Sequence, residues 1–81
     1  MNKAAVRSII ESTLKSGNKT PGLFDLPKII GVKSRLESCA SISEVVGVLE
    51  ENRGLISKSF GLSDPEINEG VTKLKALEKN A

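Results

Sequence analysis

Side chains able to carry acid–base, nucleophilic or metal chemistry are scarce in this chain. It has no His, Tyr or Trp and a single Cys, Cys39. The usual proton shuttle near neutral pH and the commonest metal ligand are therefore missing, and Cys39 has no second thiol or imidazole to activate it. A lone buried-type Cys reads as a small core residue. The carboxylates Glu44, Glu50, Glu51, Asp64, Glu66 and Glu69 fall mainly in first helical turns or on outer helix faces. There they complement the helix dipole, and nothing in their spacing points to the burial that a paired-carboxylate site requires. The expectation is a non-enzymatic protein without cofactor or metal.

Two short segments invite comparison with known sites. Gly17-Asn18-Lys19-Thr20 places a Gly and a Lys as a phosphate loop does, but such a loop follows a strand and carries a Gly directly before the Lys. Here Asn18 holds that position, and a helix precedes it. Residues 26–36 resemble the turn region of a helix-turn-helix protein over about a dozen positions, if the helix breaks at Gly31. Pro27 stands where that motif carries a small helix former, and Glu37 stands where its second helix needs an apolar anchor.

Charge distribution carries more. Residues 1–40 hold seven Lys or Arg against three acids, net +4, whereas residues 41–81 hold five against seven, net −2. Lys28 and Arg35 are one heptad apart with no acid between them, so they project from one helix face. With Arg7, Lys15, Lys19 and Lys33 they form the candidate nucleic-acid-binding set, suited to the phosphate backbone of a duplex. Only Phe24 and Phe60 could stack on bases, and both are expected in the core. The principal expectation is an accessory protein that assists a nucleic-acid transaction. The alternative is a protein-binding adaptor or regulator that offers a partner protein the apolar stripe Ile67, Val71, Leu74 and Leu77 of its last helix, unless that stripe closes the bundle.

These residues have to be positioned by helices, because no run alternates apolar and polar residues as a strand would. Val6, Ile9, Ile10, Thr13 and Leu14 share one face of a helix over 3–16, with Asn2 as N-cap and Gly17 as a left-handed terminator. A second helix is expected over 26–39, with Asp25 as N-cap, Pro27 in its first turn, a Phe24–Ile29 staple, and an apolar side through Ile30, Leu36 and Ala40. Lys33 falls awkwardly at the edge of that side, where its stem could snorkel. Ser41 and Glu44 form a capping box for a third helix over 42–53, and Arg53-Gly54 separates it from a short one over 55–60, unless the helix runs on through Gly54. Ser63, Pro65 and Glu66 with the Leu62–Ile67 pair open a last helix over 64–78.

The sum is an all-α bundle of four to five short helices forming one domain over residues 1–81. An 81-residue chain buries only about 60% of its unfolded surface, so the core is thin. The longest uncharged run, residues 38–43, is six residues, against about 20 for a bilayer-spanning helix. No membrane partner is expected, and with no apolar leader and one Cys the expected location is cytoplasmic.

Overall fold

Three of the helices begin at a side-chain capping hydrogen bond. The computed structural model describes residues 1–79 and contains, among them, five helices and no strand: α1 Lys3–Lys15, α2 Leu26–Ser38, α3 Ile42–Glu51, α4 Arg53–Phe60 and α5 Asp64–Lys79. At α1 the Asn2 Oδ1 accepts from the Ala5 N–H at 3.1 Å. At α3 the Ser41 Oγ accepts from the Glu44 N–H at 3.2 Å, while the Glu44 carboxylate takes the Ala40 N–H rather than that of Ser41. At α5 the Glu66 Oε1 accepts from both the Ser63 N–H and hydroxyl, at 3.1 and 2.9 Å. Leu62 and Ile67 are both buried beside that box, which completes the staple.

Three local expectations need correction, at Gly17, Asp25 and Gly54. Gly17 does not take the left-handed conformation; the one positive-φ residue described is Gly61, which ends α4 at φ 67°. Gly17 is instead a point of close approach, where a Cβ would collide with the Phe60 carbonyl. That carbonyl accepts the Lys19 N–H at 3.1 Å and ties the first connection to the end of α4. Asp25 stands at the N-cap of α2 but already has right-handed helical angles, and its side chain makes no capping bond. Its carboxylate lies 3.9 Å from Lys58 Nζ, while the Asp25 and Leu26 N–H groups both donate to the Gly22 carbonyl, winding the chain before the helix proper. The third boundary lies at Asn52 rather than Gly54. The Asn52 backbone leaves the helix at φ −112° and ψ 16°, its Nδ2 donates to the Val48 carbonyl at 2.8 Å, and Gly54 sits inside the first turn of α4.

α5 is the hub. It packs against α1, α3 and α4, and α2 lies outside this group with its main packing on α3. Gly70 of α5 is buried directly under Thr13 of α1, so the two helices approach closely there. One core cluster gathers Val6, Val32, Cys39, Ile42, Val45, Val48 and Leu74; the other gathers Ile56, Leu62, Ile67 and Val71. Val45 and Leu74, both fully buried, mark the centre. The Cα radius of gyration is 11.9 Å, and size scaling for a compact chain of this length gives about 11.7 Å. No helix described is long and apolar enough to cross a membrane.

The phase of α2 differs from expectation. Its inward face is Ile29, Val32 and Leu36, whereas Ile30 and Ala40 are exposed. In this phase the Arg35 guanidinium pairs with Glu51 of α3 at 2.8 Å, and Val32 rather than Ile30 packs against the core. The Phe24–Ile29 staple is absent, because Phe24 is 89% exposed. Of the two Phe residues expected inside, only Phe60 packs against the core, and it is half-buried.

Candidate docking face and groove

The charged set does not converge on one surface. Arg7, Lys15, Lys19, Lys28, Lys33 and Arg35 are all exposed, but they stand on different parts of the molecule. Lys15 ends α1 and Lys19 sits in the connection that follows. Lys28 and Arg35 do share one side of α2, and Arg35 is committed to its ion pair with Glu51. Arg7 and Lys33, on α1 and α2, both line a groove between those helices. The awkward position of Lys33 in the sequence is thereby explained, since the edge of the apolar side is the lip of this groove.

The apolar stripe of the last helix is occupied. Ile67, Val71 and Leu74 are buried and Leu77 is half-buried against the first core cluster. In this fold the stripe closes the bundle and offers no face to a partner.

An apolar surface does exist elsewhere, on Phe24 and Ile30, which were expected inside, and on Leu23 and Leu26. Leu23, Leu26 and Ile30 follow one another at i, i+3 and i+7 along the winding that begins at Gly22, and they are 82%, 43% and 59% exposed. Phe24 stands beside them at 89%. α2 thus carries two apolar stripes, Ile29/Val32/Leu36 turned inward and Leu23/Leu26/Ile30 turned to solvent, separated by about a quarter to a third of a turn. The signal was present in the sequence as an excess of apolar positions around α2, more than one buried face can use.

Cys39 is buried, and its thiol donates to the Arg35 carbonyl at 3.2 Å. Burial foremost, then the Glu44 charge, pushes the thiol above its ordinary pKa against the opposing pull of Arg35. That keeps it protonated and weakly nucleophilic. Among the described residues no three His, Cys, Asp or Glu side chains gather as metal ligands. Comparison with protein-family models, curated proteins and solved structures finds no match to this chain.

Proposed function

We propose that this chain is a small non-enzymatic protein-binding module, in the cytoplasm, whose docking face is the outer stripe of α2 together with Phe24. The observation that carries the proposal is the group of four large apolar side chains, Leu23, Phe24, Leu26 and Ile30, left in water at one end of one helix. Burying each is worth about 1.5–3 kcal/mol, which together is comparable to the lower end of the roughly 4–15 kcal/mol that association costs. Such a patch supports reversible binding and is costly to leave uncovered. On this reading the partner meets α2 rather than the last helix, whose apolar stripe is taken up by the core. The phosphate-contact alternative has less support, because Arg35 is paired and the remaining cations are dispersed.

Site-specific photocrosslinking in cells tests the proposal. A benzophenone side chain at position 30 is expected to yield discrete protein adducts, and the same group at Thr72, exposed on α5, is expected to yield none. Leu26→Asp should abolish the adducts while leaving the helical circular dichroism unchanged. Adducts that vanish on nuclease treatment, with salt-sensitive duplex binding by the purified protein, would instead favour the nucleic-acid function; no adduct at position 30 overturns the proposal.

A further inference from the structure

The groove between α1 and α2 is a feature separate from the outer stripe. Val6 and Ile10 form one wall, Ile29, Val32 and Leu36 the other, and Ile56 lies at the floor. Val6, Val32 and Ile56 are core residues, so the groove opens down to the hydrophobic interior. It exists because α1 packs on α5 while α2 packs on α3, which leaves the two helices splayed. Its volume is about 280 Å³.

Charge at the mouth selects among occupants. Lys3, Arg7 and Glu11 border the groove from α1, Lys33 and Glu37 from α2, for a net charge of +1. Lys3 reaches the Glu37 backbone carbonyl at 3.5 Å and so stands at the end of the groove where α2 terminates. Arg7 and Lys33 border the groove from its two helices, and among the described residues neither makes an ion pair with a carboxylate. Two like charges at the mouth of one apolar groove raise the positive potential between them. An anionic group set there would relieve their repulsion and accept hydrogen bonds from both.

Size narrows the choice further. Small-molecule pockets run upward from about 300 Å³, and this groove lies at that lower bound, which suits one slender chain rather than a ring system. We infer that the α1–α2 groove binds a single-chain amphiphile with one anionic head, a medium-chain fatty carboxylate, its head between Arg7 and Lys33 and its tail past Val6 and Val32 toward Ile10, Leu14 and Ile29.

The test compares three probes that share one tail: dodecanoate, dodecanol and dodecyltrimethylammonium, each titrated below its micellar concentration and followed by methyl NMR and thermal melting. Dodecanoate is expected to bind saturably at one site, shift the Val6, Ile10, Leu14 and Ile29 methyls, and raise Tm. The alcohol should bind about tenfold more weakly or worse, and the ammonium more weakly still. Arg7→Glu with Lys33→Glu, both changes at exposed positions, should reverse the order of the carboxylate and the ammonium. Should that double variant fail to fold, Arg7→Gln with Lys33→Gln should erase the head-group preference. Equal affinity for all three probes by the wild-type protein, no saturable binding of dodecanoate, or methyl shifts confined to Leu23, Leu26 and Ile30 would each overturn the inference. So would an acidic helical peptide that shifts the groove methyls where dodecanoate does not, because the groove would then belong to a protein partner.

Discussion

At the scale of single residues, side-chain function here is decided by which neighbour another helix supplies. Lys28 and Arg35 have the same spacing and exposure pattern in the sequence, yet Glu51 of α3 stands beside only one of them. Nothing local to α2 distinguishes the two. Both partners in the Arg35–Glu51 bridge are more than half exposed, so solvent screening keeps its worth within about 0–1 kcal/mol. A double-mutant cycle of Arg35→Ala and Glu51→Ala by denaturant unfolding should give a coupling energy inside that range. A coupling energy well above about 1 kcal/mol would mean that the bridge, rather than Val32 and Leu36, holds α2 in its phase. Phe24 teaches the same lesson from the apolar side. Its aromatic ring reads as core material by type, but the chain winds at Gly22–Asp25 before α2 begins and carries it outward.

At the scale of elements, most starts were legible, and stops and orientations only partly so. The side chains of Asn2, Ser41 and Glu66 accept from backbone N–H groups three residues away, so the beginnings of α1, α3 and α5 follow from local chemistry alone. The rotation of α2 does not, because its two apolar stripes are near equals and the choice between them is made by α3. The site suffers the same limit: the sequence contains the groove cations Arg7 and Lys33, but their pairing depends on how α1 and α2 splay. The α5 box makes a testable element. Hydrogen bonds from the Ser63 N–H, then its hydroxyl, hold the Glu66 carboxyl below its ordinary pKa. A carboxylate whose pKa is depressed in the folded state stabilises the fold above its unfolded value, near 4.3, and loses that contribution as pH falls through the folded value. Glu66→Gln should therefore lower Tm relative to wild type at pH 7, and the gap should narrow as the pH is taken from about 5 to 3. A gap that is constant or widens on acidification would show that the carboxylate is not held by the Ser63 donors.

At the scale of the whole molecule, the arrangement divides into a tightly packed centre around α5 and a peripheral α2 that keeps apolar surface in water. The centre has little redundancy. Leu74 and Val45 are fully buried, and Leu74 joins the cluster shared by α1, α2 and α3. Replacing Leu74 with Asp removes a core side chain, which by itself costs about 2–5 kcal/mol, and adds the burden of burying a carboxylate. Domains have about 5–15 kcal/mol of stability in total, and one this small stands toward the lower end. Leu74→Asp is expected to unfold the domain at 25 °C, seen as loss of helical circular dichroism. Leu26→Asp places the same charge at a position 43% exposed, and it should leave a folded protein whose sedimentation is that of a monomer. The contrast is the decisive measurement, because both variants make the same chemical change on an apolar helix stripe. If Leu74→Asp stays folded while Leu26→Asp collapses, α2 rather than α5 organises the core and the docking face proposed for it is structural. If the outcome is as expected, the apolar side chains of α5 hold the bundle together, and those on the outside of α2 are free to meet a partner.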